Sequence, residues 1–137
     1  MPAPTADEIR KMMDRHCELW NAGDTEAWLD EWQTFLPGGV AMEDPVGTPV
    51  KRGWEMMSEV WDASPNADWK LSVERLTVCG NEAAAIIRNA GSVNGAPLVI
   101  ESIEIYQFGD DRSVYTKTFW EIGEGNTYAE WSANTGE

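Results

Sequence analysis

Basic residues are scarce in this chain: ten Lys and Arg stand against 24 Asp and Glu, which leaves a net charge of −14. A field of this sign repels nucleic-acid phosphates and anionic lipid headgroups, so no nucleic-acid or membrane partner is expected. Long apolar runs are absent as well, and the N-terminus has no basic segment followed by an apolar run. With neither a membrane span nor a secretory signal predicted, we expect a cytoplasmic protein.

Histidine and cysteine are equally rare. The chain has one histidine, His16, and two cysteines, Cys17 and Cys79, outside any Cys-x-x-Cys or Cys/His cluster. His16 and Cys17 are neighbours in a predicted helix, where successive side chains point about 100° apart, so a thiolate–imidazolium pair is not expected. Since no glycine-rich phosphate loop follows a strand either, we expect no metal, no nucleotide and no other cofactor.

Large apolar side chains are abundant. Hydrophobic residues make up 42% of the chain, with eight Trp and six Met among them. This composition predicts a single domain over residues 1–137, with a core over about residues 5–122 and a loosely ordered tail over residues 123–137. Indole rings and flexible thioethers also suit the lining of a cavity for a small hydrophobic ligand, although core packing uses them as well.

Amphipathic helices are predicted in the first half of the chain. Thr5 and Glu8 form a capping box before a stripe of apolar residues at three- and four-residue spacing, and Gly23 ends that helix. Asp24 caps a second helix, and a third follows Gly53.

A sharp corner is predicted between the second and third helices. The apolar residues 40–42 indicate a short strand, and Glu43 and Asp44 follow it directly before Pro45. Proline has a fixed φ and no N–H, so it ends a strand. Asp44 is therefore expected at an element boundary.

Strand-like segments fill the second half of the chain, over residues 69–79, 82–93, 97–108 and 112–122, with turn residues between them. They predict an antiparallel meander. Three helices that precede a curved sheet of four or five strands bury their apolar stripes on its concave face. The predicted fold class is α+β: a cone-shaped fold of three N-terminal helices packed on a curved, mostly antiparallel sheet around an apolar pocket.

Both faces of segment 97–108 are apolar. Leu98 and Tyr106 share one parity, and Val99 and Ile103 share the other. One face would contact the helices and the pocket, whereas the other needs cover, which a second copy of the chain would supply. We therefore expect a homodimer through the outer face of the sheet.

Residues 41–47, Ala-Met-Glu-Asp-Pro-Val-Gly, followed by Gly53 and a helix, resemble the bacterial Δ5-3-ketosteroid isomerases of the nuclear transport factor 2-like (SnoaL-like) superfamily. The resemblance covers about residues 5–122 and includes Asn21-Ala22-Gly23-Asp24, Asn81-Glu82-Ala83-Ala84 and Phe119-Trp120. It implies the cone-shaped fold named above. Isomerases, cyclases, dehydratases, epoxide hydrolases and binding modules share that fold, so it does not fix the function.

The resemblance places the family's general base on Asp44. Moving a double bond into conjugation needs a base that shifts a proton between carbons, and donors that hold the enolate oxygen. In register with the family, His16 occupies the position of the family's tyrosine donor, and Glu104 occupies that of its protonated aspartate. The resemblance therefore implies that His16 and Glu104 are substitute donors to the enolate oxygen. Each residue also has a simpler interpretation: Asp44 as a turn residue, His16 as a core histidine, and Glu104 as an ion-pair partner of Lys117 or Arg88.

Further residues are expected to line the pocket: Trp20, Val60, Trp61, Ile87, Asn89, Gly91, Tyr106 and Trp120. The register of the resemblance puts Asn89 and Gly91 where the family has apolar or aromatic residues. A roomier and more polar cavity is therefore expected.

Three functions follow as hypotheses. The resemblance implies a steroid Δ-isomerase that transfers a proton next to a carbonyl of a small hydrophobic, steroid-like substrate. Because both donors depart from the family's pattern, a lyase, dehydratase or cyclase reaction on a bulky aromatic or polyketide-like compound is an alternative. A non-catalytic, dimeric module that binds a hydrophobic ligand is another.

Overall fold

The computed structural model describes residues 2–63, 69–93 and 95–121, and the side chains of these residues except 60–63 and 93. In chain order the elements are α1 (Ala6–Ala22), α2 (Thr25–Phe35), β1 (Gly39–Glu43), β2 (Lys51–Arg52), α3 (Trp54–Ala63), β3 (Lys70–Cys79), β4 (Glu82–Val93), β5 (Ala96–Phe108) and β6 (Ser113–Phe119). Among these helices, none is long and apolar enough to cross a membrane. The predicted tail over residues 123–137 lies outside the described residues.

The strands form one mixed, six-stranded sheet in the order β2-β1-β6-β5-β4-β3. Strands β3 to β6 form the predicted antiparallel meander. Strand β1 pairs in parallel with β6, in the register Met42↔Thr116, and antiparallel with β2. The short strand predicted over residues 40–42 is found as β1, and β1 and β2 lie between α2 and α3, so the described sheet has six strands and not the four or five that were expected. A two-residue strand and a long-range parallel pairing leave no periodic signal in a sequence.

The ends of α1 and α2 follow their sequence signals. Thr5 Oγ1 accepts from the Glu8 N–H at 3.2 Å, and Glu8 Oε1 accepts from the Thr5 N–H at 3.1 Å, so the predicted capping box is confirmed. Gly23 ends α1 with φ at 74°, a left-handed conformation that favours glycine. Asp24 caps α2 by accepting from the Ala27 N–H at 3.1 Å.

The concave face of the sheet packs against the helices. Side chains of alternate residues point to this face, among them Met42 on β1, Tyr106 on β5 and Thr116 on β6, and all three are buried. The outer face of β5 and β6 leaves Val99, Ile103 and Phe119 between 43% and 53% exposed. This apolar outer face suits a second copy of the chain, and the homodimer stays a prediction.

Asn21 joins the end of α1 to β3, which is an edge strand whose outward backbone groups need partners. Its Nδ2 donates to the Leu71 carbonyl at 2.8 Å, and its Oδ1 accepts from the Leu71 N–H at 2.8 Å. Next to it on the helix, Trp20 Nε1 donates to the Trp69 carbonyl at 3.0 Å. These bonds fix α1, and with it His16, relative to the sheet.

Replacing Asn21 with Ala is expected to lower the free energy of unfolding by about 1–3 kcal/mol, because the N–H and carbonyl of Leu71 both lose their partner. Denaturant titration measures the loss. Glu18→Ala on the same helix is the control: it removes an exposed ion pair with Arg15 and should change stability by less than about 0.5 kcal/mol. Equal unfolding midpoints for the two variants would contradict the anchoring role of Asn21.

Candidate functional site

A cavity of about 180 Å³ lies between the helices and the concave face of the sheet. Among the described residues, six tryptophans line it: Trp20, Trp28, Trp32, Trp54, Trp69 and Trp120. Polar groups enter the cavity from α1, from the corner after β1 and from the inner faces of β4, β5 and β6. The main titratable groups among them are Asp44, Glu104 and His16.

Most of the indole N–H groups around the cavity donate to acceptors within the protein. Trp20 donates to the Trp69 carbonyl, and Trp54 donates to the Leu36 carbonyl at 3.0 Å. The indoles of three more lining tryptophans donate to Asp44 or to His16, as described below. Because their polar edges are used in this way, these tryptophans contribute mainly ring carbon to the cavity wall.

Asp44 reaches the cavity from the corner after β1. Its Oδ1 accepts a hydrogen bond from Trp120 Nε1 at 2.9 Å. Burial raises the pKa of Asp44, while the bond from Trp120 and the charge of Lys51 act in the opposite direction. Oδ2 makes no hydrogen bond to the described residues and is not fully enclosed, and Asp44 is one of the residues that line the cavity. A partly desolvated carboxylate with one open oxygen is suited to act as a base.

Glu104 projects from β5 on the same face as Ser102 and Tyr106. Tyr106 Oη donates to Glu104 Oε1, and Ser102 Oγ donates to Glu104 Oε2 at 3.5 Å. The pKa of Glu104 is raised to about 7: burial is the largest cause and the charge of Asp44 acts in the same direction, while the hydrogen bonds from Tyr106 and Ser102 act against them. The alternative of an ion pair is wrong for Lys117, which pairs with Glu43 at 4.0 Å.

Arg88 does not neutralise Glu104 either. It lies on β4 opposite Glu101, on the outer face of the sheet, and no ion pair involves Glu104 among the residues that the structure describes. Because the charge of Asp44 raises the pKa of Glu104, a charged Asp44 favours the protonated form of Glu104. The cavity therefore contains a base and an acid at the same time.

His16 is held by two tryptophans of α2. Its Nδ1 accepts from Trp28 Nε1 at 2.7 Å and from Trp32 Nε1 at 3.3 Å. Burial lowers the pKa of His16 to about 4, so the ring is neutral at neutral pH. A nitrogen that accepts hydrogen bonds carries no proton, so the imidazole proton is on Nε2.

Part of the predicted lining is found at the cavity: Trp20, Asn89, Tyr106 and Trp120. Ile87 is not among the residues that line it; its side chain is fully buried in the core. Gly91 does not line it either, because Trp69 covers it: a Cβ at Gly91 would lie 2.7 Å from the Trp69 ring. The predictions for Val60 and Trp61 fall on side chains outside the described part of the chain.

Sequence reasoning missed the α2 tryptophans and the hydroxyl groups of the cavity. Trp28 and Trp32 are four residues apart on one helix face, a spacing that indicates burial but not a cavity. Thr116 and Thr118 line the cavity from β6. Their alternation with Tyr115 and Lys117 was a usable signal, since an inward-facing row of hydroxyl groups indicates a polar interior site.

The titratable groups of the cavity are suited to acid–base chemistry. Asp44 can accept a proton, Glu104 can donate one, and His16 can donate a hydrogen bond without charge. No group of three or more His, Cys, Asp or Glu side chains is placed to hold a metal ion in residues 2–63, 69–93 and 95–121. Proton transfer on an apolar ligand is the chemistry that Asp44, Glu104 and His16 together can perform.

Comparisons with known proteins agree with this architecture. Residues 13–116 match the family model of the SnoaL-like domain. The structure is similar to SalBIII, an epoxide hydrolase/cyclase-like enzyme with a role in pyran ring formation in the polyether salinomycin, with 16% identity over 85% of this chain and 92% of that chain and a TM-score of 0.68.

It is also similar to a "Putative SnoaL-like polyketide cyclase" from Jannaschia sp. CCS1, with 15% identity over 79% of this chain and 83% of that chain and a TM-score of 0.60. None of the curated proteins matches the sequence. At these identities the two structures show a shared fold, and the family match extends over most of the chain. The chain therefore belongs to the family of SnoaL-like domains, within the nuclear transport factor 2-like superfamily.

Proposed function

We propose that this protein is an acid–base enzyme that closes a ring in a bulky, largely apolar substrate, a cyclase-type reaction. One observation carries the proposal: Asp44 and Glu104 share an apolar cavity, where a charged Asp44 raises the pKa of Glu104 and so favours its protonated form. Ring closure by an alcohol needs a base for the hydroxyl proton and an acid for the oxygen that leaves, both at once. Asp44 would be the base and Glu104 the acid.

A hydroxy-epoxide illustrates the reaction. Asp44 takes the hydroxyl proton as that oxygen forms a bond to one epoxide carbon. The bond between this carbon and the epoxide oxygen breaks, and Glu104 gives its proton to the oxygen. The product is a cyclic ether with a new hydroxyl group and the same atoms as the substrate. A proton passing from Asp44 back to Glu104 through solvent resets the site.

The neighbouring structures support a cyclase as the class of reaction. One is named for pyran ring formation and the other as a polyketide cyclase. Polyethers and polyketides are carbon-rich compounds, and a cavity walled by indole rings suits a ligand of that kind. For this chain the carboxyl groups of its own cavity support the reaction, because the likeness to these structures lies in the fold.

A steroid Δ-isomerase is the second candidate. The observation that favours it is Asp44 in its Glu-Asp-Pro-Val-Gly corner, in one cavity with two uncharged donors, the His16 Nε2–H and the protonated Glu104. In that reaction Asp44 would move a proton between two carbons next to a carbonyl, while the donors hold the enolate oxygen. Glu104 would then donate a hydrogen bond and keep its proton throughout.

Replacing Asp44 with Asn is expected to lower kcat/KM by about a hundredfold or more, because an amide cannot accept the proton. An aryl-substituted hydroxy-epoxide, followed by chromatography of the cyclic ether, tests the cyclase reaction. A Δ5-3-ketosteroid, followed by the ultraviolet band of the conjugated enone, tests the isomerase reaction. Asp30→Asn is the matched control, since Asp30 is exposed on α2 and should leave the rate unchanged.

The outcomes separate the functions. Cyclic ether formation that depends on Asp44 supports the cyclase, and enone formation that depends on Asp44 supports the isomerase. Equal rates for Asp44→Asn and Asp30→Asn would exclude both assignments of the base. Binding of both probes with no turnover of either would indicate a ligand-binding module.

The pH dependence of kcat/KM tests Glu104 as the acid. The rate is expected to fall above about pH 7, because Glu104 must hold its proton and its pKa is raised to about 7. On the acid side it falls as Asp44 becomes protonated, at a higher pH than for an exposed aspartate, because burial raises the pKa of Asp44. Glu104→Gln removes the transferable proton, so the rate should drop by about a hundredfold and the residual rate should not decline near pH 7. An alkaline limb near pH 7 that survives in Glu104→Gln would contradict this role.

A further inference from the structure

We propose that Lys51 is a positioning residue of the site: its buried ammonium group makes Asp44, and not Glu104, the carboxyl group that carries the negative charge. Its part in turnover rests on the proposed function, in which Asp44 is the base and Glu104 the acid. The order in which these two carboxyl groups ionise is a property of the free protein and needs no turnover.

Strand β2 directs Lys51 to the concave side of the sheet. Lys51 lies opposite Met42 in the antiparallel register of β1 and β2, and residues directly opposite each other in such a pair share a face. Met42 lines the cavity, and Lys51 is buried like it, with 2% of its surface exposed. Arg52, the next residue, points to the other face and is exposed. Of the two cations on β2, only Lys51 is therefore directed to the interior.

The ammonium group of Lys51 lies at the corner that carries Asp44. Its Nζ donates to the Asp44 carbonyl oxygen at 3.4 Å. Attraction between a buried cation and a buried carboxylate is screened by little water, so it is stronger than between exposed groups. Burial raises the pKa of Asp44, and the hydrogen bond from Trp120 and the charge of Lys51 both act against that rise. The cation therefore favours the charged form of Asp44.

Glu104 is in a different position. Burial raises its pKa, the charge of Asp44 acts in the same direction, and the groups that oppose them are uncharged hydroxyls. Each carboxyl group accepts a hydrogen bond from one aromatic side chain, Trp120 for Asp44 and Tyr106 for Glu104. These bonds are alike in kind, whereas a nearby cation acts on Asp44 alone among the described residues. Since an opposite charge favours ionisation, Lys51 separates two otherwise similar groups.

The other titratable groups around this corner do not supply the positive charge. His16 lines the cavity from α1, but burial lowers its pKa to about 4, so the ring is neutral near pH 7. Tyr106 on β5 is uncharged, because burial raises its pKa further above the ordinary value. Glu43 pairs with Lys117 at 4.0 Å on the outer side of β1 and β6. In the part of the chain that the structure describes, Lys51 is thus the cation that acts on the base.

Titration of the carboxyl groups in ¹³C-labelled protein, followed by nuclear magnetic resonance, tests the order of ionisation. In the unmodified protein Asp44 is expected to lose its proton at a lower pH than Glu104, with each signal assigned by its loss in Asp44→Asn or Glu104→Gln. Lys51→Met keeps a long side chain without the charge, so the Asp44 titration should shift to higher pH. The Glu104 titration should shift to lower pH, because Asp44 is then charged less of the time.

Arg52→Met is the matched control, since it removes a cation from the same strand on the other face and should leave both titrations in place. Lys51→Arg keeps the charge and should keep the Asp44 titration near its original pH. Lys51→Gln is a second neutral variant that can still donate to the Asp44 carbonyl, and it carries the test if Lys51→Met does not fold. Glu104 ionising before Asp44 in the unmodified protein would overturn the proposal. An Asp44 titration that the neutral variants leave in place, or that Arg52→Met shifts equally, would overturn it too.

Kinetics separate this role from the proposed function. If Asp44 is the base, the acid limb of kcat/KM in Lys51→Met should move to higher pH together with the Asp44 titration, and Arg52→Met should keep the original profile. No turnover of the hydroxy-epoxide or the ketosteroid, with the Asp44 titration still shifted in Lys51→Met, would count against the proposed function and not against Lys51. Turnover that depends on Asp44, with a titration that Lys51→Met does not shift, would count against Lys51 alone.

Discussion

The desolvation of two carboxyl groups in one apolar cavity is the constraint around which the site is organised. Burial raises the pKa of both Asp44 and Glu104, because a charge in an indole-walled space loses its water. Each carboxyl group has a hydrogen bond from an aromatic side chain, Trp120 for Asp44 and Tyr106 for Glu104. When Asp44 is charged, a Glu104 that keeps its proton spares the cavity a second charge. The state that lowers the cost of burial is also the state that acid–base chemistry requires.

Tryptophan side chains form the apolar wall of the cavity and also provide hydrogen-bond donors to the polar groups inside it. An indole has a large carbon surface and a single N–H, so it can fill space and also satisfy one buried acceptor. Trp20 and Trp54 use this N–H for backbone carbonyls, which ties the wall to the fold. Trp28 and Trp32 use it for His16, which sets the tautomer of the imidazole. Removing one such N–H is therefore expected to change chemistry as well as packing, since a buried acceptor is left without its partner.

The parts of the fold with local signals could be predicted from the sequence. The capping box of Thr5, the left-handed Gly23 and the meander from β3 to β6 each depend on residues close together in the chain. The parallel pairing of β1 with β6 joins residues more than seventy positions apart, as in Val40↔Val114, and no local pattern encodes it. At the site, the resemblance predicted that Asp44, His16 and Glu104 lie in one cavity, and all three line it. It failed for Ile87 and Gly91, because the concave face of β4 serves partly as core and only partly as cavity wall.

The cyclase and the isomerase differ in what they require of Glu104, although both use the same cavity. An isomerase needs a base that returns the proton it took, and its donors only hold an oxygen, so a Glu104 that kept its proton would suffice. A cyclase must protonate a leaving oxygen, so the Glu104 proton has to move, and a pKa raised to about 7 makes the group an acid that can release it near neutral pH. A much higher pKa would suit a permanent donor better. The hydrogen bond from Tyr106, which lowers the pKa of Glu104 against the effect of burial, therefore favours the role of proton donor in ring closure.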